Sequence, residues 1–490
     1  MAARREIRHI LPLKGYLQSK ASSAFGRWSR QSSTTVILYA LPLVLLIVLT
    51  RDNEGQRSTD LVAQKVAEIY ENDHVIIAGV GNRSQYEYWD RPDRHVDLAL
   101  IRGDEEKGIP ALKTILFWNG LFYYPDYAFG RGRQPFIDAK CPVTTCLATD
   151  DPYLLDSVDQ YDAVMFHWPS LCDYPYVASR SEHQLFVMVS DESPQWRFSG
   201  YKLPFYKDFF NLTMTYRRDS DIEWPYGQVE VLPSAPIGEE ELLIARRNVT
   251  RNYAAGKSKL AVWFVSHCKT DSRREFYVHV LKQHSRIDIF GKCGKPFCSF
   301  DQLNDCYQRI EIDYKFYLSF ENSLCRDYIT EKFFNLLDRN IVPIVYGAGN
   351  YEAIAPPHSY IDALKYTPVQ LAKYLDILDK NDTLYNEYFW WKPFYKLVGL
   401  NNILKLYPLE SFHSCNRSHY DYKEMANIAF CQLCQQLNQP RTHVQWYHDI
   451  DAWYDGGNHC HKPNRFKVPI KQFDFDNYTI PADAVVKIPL

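Results

Sequence analysis

The sequence lacks an overall charge of either sign. Its 490 residues hold 56 Lys and Arg against 59 Asp and Glu, so the formal net charge is −3. A dedicated nucleic-acid binder normally carries a strong basic excess in its folded part, and this composition excludes that class. Disorder as the main state is excluded too, because 46% of the residues are hydrophobic and a chain this long can build roughly two or three domains with their own cores.

Two nucleotide-binding motifs are also missing. No Gly-x-Gly-x-x-Gly segment and no Gly-x-x-x-x-Gly-Lys-Ser/Thr segment follows a predicted strand. A dinucleotide-dependent oxidoreductase and a P-loop protein therefore have little support. No internal repeat or low-complexity tract interrupts the chain.

The N-terminal tail is the only basic block. Residues 1–33 hold seven Lys or Arg and a single acid, Glu6, and an uncharged run follows over 34–50. As a helix this run spans about 26 Å, which is short but sufficient to cross a bilayer, and the basic tail should stay cytoplasmic. We therefore predict a cytoplasmic tail over 1–33, a transmembrane anchor over 34–50 and a stem over 51–70. The alternative is a cleaved signal peptide, although the run ends at Thr50-Arg51 without the small residues of a cleavage site.

These features predict a single-pass type II protein of the Golgi membrane, with the catalytic part in the lumen. A short span suits the thinner membranes of the early secretory pathway. The 12 cysteines indicate disulfides in an oxidising compartment, with buried free thiols as the alternative. Six N-x-S/T sequons favour the same route, at Asn82, Asn211, Asn248, Asn381, Asn416 and Asn477. Cys431 and Cys434 have the spacing of a redox pair, but with Cys415 and Cys460 nearby we favour a structural disulfide cluster.

Buried-strand patterns recur along the predicted luminal part. Beyond a possible helix over 60–70, short apolar runs predict strands at 75–78, 114–118, 163–166, 185–189, 260–265, 287–290, 316–320 and 341–346. Helices are predicted over 275–284 and 330–339. This alternation predicts mainly parallel sheets with helices on both faces, which bind ligands at the carboxyl ends of their strands. The polar stretch 245–259 reads as an exposed linker that separates a lobe over 71–244 from a lobe over 260–435, with a C-terminal extension over 436–490.

Two basic positions follow predicted strands of the second lobe. Thr330 can cap a helix whose first turn contains Glu331 and Lys332. A lysine there opposes the helix dipole unless an anion compensates, so Lys332 is a candidate phosphate contact. Arg273 and Arg274 follow the preceding strand, and arginine suits bidentate phosphate recognition. The alternative at both positions is a solvated helix start.

These residues carry a resemblance to a known family. Residues 316–323, 327–332 and 342–347 resemble the donor-binding segments of the α1,3/4-fucosyltransferases, and so do 210–222 with 225–227. The similarity covers roughly residues 110–435. It implies a GT-B type α/β fold, with two Rossmann-like lobes facing a cleft, the acceptor on the N-terminal lobe and GDP-L-fucose on the C-terminal lobe. It also implies inversion at the transferred carbon.

The resemblance further implies roles for individual residues. Arg274 matches the arginine that contacts the diphosphate, with Arg273 as the second choice. The nucleotide-sugar positions fall on Asn322, Tyr328, Glu331 and Lys332. Asp191-Glu192-Ser193-Pro194 resembles the family's Glu-Ser-Pro segment, which makes Glu192 the expected general base. An inverting transfer needs such a carboxylate to take the proton of the acceptor hydroxyl, while cations stabilise the departing GDP.

No obligatory metal is expected, because the protein supplies the cations. Asp219-Ser220-Asp221 spells the D-x-D segment that other glycosyltransferases use for manganese, so stimulation by a divalent cation such as Mn is an alternative to a plain polar loop. His459-Cys460-His461 has the composition of a zinc site but no second spaced pair of ligands.

The acceptor is the least determined part. Phe166-His167-Trp168-Pro169 replaces the His-His-Arg/Trp-Asp segment of the Lewis-antigen enzymes, while Cys431-x-x-Cys434 and the extended tail resemble enzymes that modify the innermost GlcNAc of N-glycans. We therefore expect α1,3 fucosylation of that core GlcNAc on glycoprotein acceptors. Antennary fucosylation, of Lewis type or on LacdiNAc, is the runner-up. A non-catalytic glycan-binding paralogue is the alternative of another class, and the joint presence of the expected base and cations argues against it.

Overall fold

The computed structural model describes the chain from residue 101 onward, with gaps. The described residues are 101–104, 106–121, 124–171, 177, 179–195, 206–296, 303–398, 423–440, 445–454, 459–461 and 463. The predicted tail, anchor, stem, helix at 60–70 and strand at 75–78 lie outside them. Within this part of the chain, no helix combines the length and apolar character that a membrane crossing requires.

The first lobe is built on a six-stranded sheet in which every neighbouring pair is parallel. Its strands are β1 Lys113–Phe117, β2 Cys146–Thr149, β3 Ala163–His167, β4 Leu185–Ser190, β5 Leu212–Thr215 and β6 Ile222–Glu223. They lie in the order β2-β1-β3-β4-β5-β6. All residues of β3 and β4 are buried, as expected of central strands that are covered on both faces. The strand predictions at 114–118, 163–166 and 185–189 are confirmed.

The second lobe contains a five-stranded parallel sheet. After β7 Gln228–Val231 the chain forms β8 Lys259–Phe264, β9 Ile287–Phe290, β10 Tyr314–Phe320, β11 Val342–Tyr346 and β12 Ile361–Asp362, and β13 Tyr395–Val398 pairs antiparallel with β7. The sheet order is β12-β11-β10-β8-β9. All four strand predictions in this lobe are confirmed.

Ten helices occur in the described residues. They are α1 Gln134–Asp138, α2 Glu239–Arg247, α3 Arg274–His284, α4 Leu303–Asp313, α5 Glu331–Leu337, α6 Tyr351–Ile354, α7 Pro368–Lys380, α8 Asp382–Asn386, α9 Lys423–Asn438 and α10 Ile450–Tyr454. The predicted helix over 330–339 is confirmed as α5, and Thr330 is its N-cap because its side chain accepts a hydrogen bond from the Lys332 amide.

The strand order fixes where each sheet can bind a ligand. In each sheet the strand order runs outward in opposite directions from one point. That point lies between β1 and β3 in the first lobe and between β8 and β10 in the second. Loops that leave the carboxyl ends on either side of such a switch point diverge and leave a crevice. The second-lobe crevice lies between residues 265–273, the β8–α3 loop, and residues 321–330, the β10–α5 loop.

The chain returns to the first lobe after the second sheet. Helix α9 packs on the first sheet through Met425, Ala429 and Phe430, and disulfides Cys141–Cys431 and Cys146–Cys434 fix it there. The lobe boundary predicted at 435 therefore assigned most of α9 to the second lobe, whereas its packing is with the first. Each cysteine of the C-x-x-C segment pairs with a different first-lobe cysteine, so the segment is structural rather than a redox pair.

The predicted linker is more ordered than its polar composition indicated. Residues 245–247 form the last turn of α2, and Ala254 is buried in the second-lobe core. The Lys257 ammonium donates to the carbonyl of Tyr314 at 2.9 Å. Most residues of the stretch are nevertheless exposed, as predicted, and Ala254 alone is buried.

Candidate active site

The β10–α5 loop is organised around a buried carboxylate, Glu321. Its Oε1 accepts hydrogen bonds from the Thr330 amide at 2.8 Å and from the Thr330 hydroxyl at 3.0 Å. The Lys332 ammonium lies 3.3 Å from its Oε2. Burial raises the pKa of Glu321, and the Lys332 charge opposes that shift. Glu321 is not among the residues predicted from the sequence, although an acid directly after a buried strand is a signal for a functional role.

Lys332 lies in the first turn of α5, directly after this loop, and its positive charge faces the loop's Glu321. Its Nζ donates to Glu331 Oε1 at 2.9 Å and to Thr330 Oγ1 at 2.9 Å. Burial alone would lower its pKa, but Glu321 and Glu331 outweigh that effect and raise the pKa of Lys332 above its usual value. The lysine is therefore charged at every physiological pH, as a phosphate contact must be.

The two arginine candidates differ in position. Arg273 is exposed and has the left-handed conformation, with φ +50°, at the N-cap of α3. Arg274 is 4% exposed and donates to the carbonyls of Phe320 and His267 at the ends of β10 and β8. Its Nε is buried without a partner among the described residues. The crevice thus contains Arg274, and its contact with a diphosphate stays a prediction.

Asn322 lies beside Arg274 at the start of the β10–α5 loop. Its carbonyl accepts from the Ser272 amide at 3.0 Å, and Ser272 Oγ donates to the Glu321 carbonyl at 2.7 Å. These bonds join the β8–α3 and β10–α5 loops. The side-chain Oδ1 of Asn322 is buried and has no partner among the described residues, so it can accept a hydrogen bond from a ligand.

Glu192, the expected base, is hydrogen-bonded to a residue of the second lobe. Glu192 follows β4 of the first lobe, and its Oε2 accepts a hydrogen bond from the Tyr328 hydroxyl at 2.9 Å. Burial and the neighbouring Asp191 carboxylate raise the pKa of Glu192 to about 8, while Lys332 and the Tyr328 bond hold it from rising further. A carboxylate with such a pKa is a much stronger base than an exposed one and still ionises near neutral pH.

Asp191 is held in place from the other side. His167 Nε2 lies 3.1 Å from Asp191 Oδ1, and its Nδ1 lies 2.8 Å from Ser170 Oγ. The Tyr226 hydroxyl donates to the Asp191 carbonyl at 2.6 Å. Sequence analysis noted His167 only as part of a departure from the Lewis-type segment. In the structure His167 is buried and supports the residue next to the base.

The carboxylates of the D-x-D segment are occupied by protein donors. Asp219 accepts a bidentate pair from Arg217 at 2.8 and 2.7 Å and a third bond from Arg326 at 3.1 Å. Asp221 accepts from the Thr213 amide at 2.8 Å and from the Tyr447 hydroxyl at 2.8 Å. Both acids therefore have structural roles in this fold.

The His-Cys-His segment is likewise structural, because Cys460 forms a disulfide with Cys325. Across the part of the chain that the structure describes, no group of three or more His, Cys, Asp or Glu side chains is arranged to hold a metal ion. The candidate site consists of a basic carboxylate on one lobe and fixed cations on the other. That pair of features can remove a proton from a hydroxyl while it stabilises an anionic leaving group.

Comparison with known proteins identifies the family. Residues 110–227 match the family model described as "Fucosyltransferase, N-terminal", and residues 254–453 match "Glycosyltransferase family 10 (fucosyltransferase) C-term". Alpha-(1,3)-fucosyltransferase C of Drosophila melanogaster is 34% identical over 75% of this chain and 83% of its own length. The chain belongs to glycosyltransferase family 10.

Two further relatives have names that give different acceptor classes. Glycoprotein 3-alpha-L-fucosyltransferase A of Drosophila melanogaster is 35% identical over 73% of this chain and 63% of its own length. The human 4-galactosyl-N-acetylglucosaminide 3-alpha-L-fucosyltransferase FUT5 is 33% identical over 72% and 83%. A solved α1,3-fucosyltransferase with GDP aligns over 69% of this chain at 15% identity and a TM-score of 0.40.

Membership of family 10 makes the protein a fucosyltransferase-type glycosyltransferase, and both family segments contain residues of the candidate site. Glu192 and Asp191 lie in the N-terminal match, while Arg274, Tyr328 and Lys332 lie in the C-terminal match. The resemblance seen in the sequence is confirmed, and the non-catalytic alternative loses its support. The individual roles of the site residues stay predictions.

Proposed function

We propose that the protein transfers L-fucose from GDP-L-fucose to the 3-hydroxyl of a GlcNAc residue, with inversion. The observation that carries the proposal is the hydrogen bond between Glu192 and Tyr328, which joins a strongly basic carboxylate of the first lobe to the β10–α5 loop of the second, next to Lys332 in the first turn of α5. The family match and the names of the relatives support the donor and the α1,3 linkage.

The transfer needs one proton acceptor and one stabilised leaving group. Glu192 takes the proton of the acceptor hydroxyl as its oxygen forms a bond to the anomeric carbon of fucose. The bond between that carbon and the diphosphate breaks, and both of its electrons leave with GDP. Lys332 and Arg274 stabilise the developing charge on the diphosphate, and Asn322 Oδ1 is positioned to accept from a donor hydroxyl. This chemistry works without a metal, and divalent cations act at most as stimulants.

We propose the innermost GlcNAc of N-glycans as the acceptor. The departure at Phe166-His167-Trp168-Pro169 supports this choice, because Trp168 is buried and packs edge-on against Tyr206 with ring centroids 5.0 Å apart. It serves the core rather than an acceptor surface. The antennary reading is the second candidate, since the chain is about as similar to the human galactosyl-GlcNAc enzyme as to the fly glycoprotein enzyme.

A panel of defined acceptors separates these candidates. Purified full-length protein is incubated with GDP-fucose and four glycans: a core N-glycan without antennal galactose, an N-glycan with LacNAc antennae, a LacdiNAc glycan and free LacNAc. We expect product only where the innermost GlcNAc is available, with the fucose in α1,3 linkage by fragmentation and NMR. Fucose on the antennae alone would transfer the assignment to the second candidate, and no transfer to any glycan would reject the function.

We further propose that the protein is a type II Golgi enzyme with its active site in the lumen. Nine described cysteines are disulfide-bonded, which supports an oxidising compartment. Of the sequons, Asn248 and Asn381 are exposed. Asn211 is fully buried, and its Nδ2 donates to the Gln445 carbonyl at 2.8 Å.

Glycopeptide mass spectrometry of the protein from a eukaryotic host tests this topology. We expect N-glycans on Asn248 and Asn381 and an unmodified Asn211. Absence of glycan from both exposed sequons would contradict a luminal location, because oligosaccharyl transfer occurs only there.

A further inference from the structure

The C-terminal extension contains a segment in which the sequence singled out only His459, Cys460 and His461. We call residues 445–454 and 459–461 the C-terminal strap. The family model ends at residue 453, so the final residue of α10 and the cysteine of the His-Cys-His segment lie beyond it. Both of these residues contact the candidate active site.

The strap is anchored on the first lobe by buried polar contacts. Arg217 donates to the Trp453 carbonyl, and its guanidinium carbon lies 4.3 Å from the centroid of the Trp453 ring. The Gln445 carbonyl accepts from Asn211 Nδ2, and the Tyr447 hydroxyl donates to Asp221. These contacts hold the strap against the first lobe, and two of them satisfy the buried side chains of Arg217 and Asn211.

At the end of α10, Tyr454 reaches the expected base. Its side chain is 1% exposed. The hydroxyl donates to the backbone carbonyl of Glu192 and lies 2.8 Å from Ser190 Oγ, which itself donates to the same carbonyl at 3.2 Å. Glu192 follows the end of β4. The two hydroxyls therefore fix the position of its main chain, from which the carboxylate side chain extends.

The other end of the strap is bonded to the β10–α5 loop. Cys460 forms a disulfide with Cys325. The Arg326 amide donates to the His459 carbonyl at 2.6 Å, and the His461 amide donates to the Leu324 carbonyl at 2.7 Å. The same loop supplies Tyr328, whose hydroxyl is bonded to the Glu192 carboxylate.

We propose that the C-terminal strap positions the two halves of the active site, through Tyr454 on the main chain of Glu192 and through Cys460 on the β10–α5 loop. The proposal rests on the function proposed above. Tyr454 and Cys460 are positioning residues, since they act through Glu192 and through the loop. The rate of a transferase depends on such preorganised geometry, because misplacement of a reacting group by about 1 Å can cost about 100-fold in rate.

Tyr454→Phe tests the contact with the base. The variant keeps the ring and removes only the hydroxyl. We expect kcat to fall about 10-fold, as for loss of a buried hydrogen bond, with KM for GDP-fucose and Kd for GDP within twofold of the wild type. Tyr161→Phe is the matched control, because it removes a buried hydroxyl that donates to a backbone carbonyl of the first lobe, that of Asp151 at 2.7 Å, outside the strap, and we expect kcat to stay within twofold.

Cys325→Ala/Cys460→Ala tests the contact with the loop. We expect Kd for GDP, measured by calorimetry, to rise about 10-fold, because the loop that contains Asn322 and Tyr328 is no longer fixed. The control is Cys141→Ala/Cys431→Ala, which removes a disulfide between α9 and the first lobe. Its Kd for GDP should stay within twofold of wild type, whatever its melting temperature.

The outcomes are separable. Transfer by the wild-type protein establishes the proposed function in the same assay, and its absence rejects that function. If the wild type transfers fucose and Tyr454→Phe is as active, or if Tyr161→Phe loses as much kcat, the strap proposal is overturned. If the Cys325→Ala/Cys460→Ala variant binds GDP as tightly as the wild type, the part of the proposal that concerns Cys460 and the β10–α5 loop is overturned.

Discussion

Replacement of Glu192 by Gln should remove most of the activity of the protein while the protein still folds. Gln has nearly the shape of Glu and can still accept the hydrogen bond that the Tyr328 hydroxyl donates. It cannot take a proton. We therefore expect the variant to fold and to bind GDP within twofold of wild type, while kcat falls by about 100-fold to 10,000-fold, the usual contribution of a general base.

The same substitution should stabilise the protein at neutral pH. The pKa of Glu192 is raised from 4.5 to about 8. A carboxyl whose pKa is raised on folding contributes its stability below the unfolded value and loses it as pH rises toward the folded value. At pH 7 the cost of retaining the proton is about 1.36 kcal/mol for each of the roughly 2.5 units above 4.5, or about 3 kcal/mol. Gln carries no such cost.

Thermal unfolding at several pH values measures this difference. For a folded body of several hundred residues, about 1 kcal/mol shifts the melting temperature by roughly 1 °C. The variant should melt roughly 3 °C higher than wild type at pH 7, with the difference vanishing near pH 4.5. The assignment of Glu192 as a base with a raised pKa is refuted if the variant turns over as fast as the wild type. It is also refuted if the difference in melting temperature does not change with pH.

Three further predictions concern the same site. The kcat/KM for the acceptor should rise tenfold per pH unit below about pH 8 and level off above it, because only ionised Glu192 accepts the proton; a flat profile from pH 6 to 9 contradicts this. Tyr328→Phe removes a donor to the ionised carboxylate, so the rising limb should move to higher pH in the same rate measurement, and an unmoved limb would exclude the contact from the working enzyme. Lys332→Ala should weaken GDP binding by at least about 10-fold in calorimetry. It should also destabilise the fold by about 3 kcal/mol or more, since Glu321 is left buried without its counterion. An unchanged affinity for GDP would rule out the phosphate contact.

Local patterns were sufficient for the elements and for part of the site. Runs such as 163–166 and 316–320 are apolar except for Ser319 because their strands are covered on both faces, and that property is visible in the sequence. The position of Lys332 after a strand and a capping Thr330 was equally visible. These features depend on neighbours within a few residues.

Contacts between distant segments were not predictable in this way. The disulfides of α9 join cysteines 290 and 288 residues apart, and no periodicity specifies such a pairing. Tyr454 is 262 residues from the carbonyl to which it donates. The D-x-D segment misled in the opposite direction, because its carboxylates are occupied by Arg326 and Tyr447 from elsewhere in the fold, as well as by the neighbouring Arg217.

The central claim is transfer of fucose to a GlcNAc hydroxyl with Glu192 as the base. The most direct measurement is product analysis after incubation of purified wild-type protein and its Glu192→Gln variant with GDP-fucose and a core N-glycan. We expect the wild type to give α1,3-linked fucose on the innermost GlcNAc and the variant to give less than about 1% of that product in the same time. A wild type without product, or a variant with as much product as the wild type, would contradict the account.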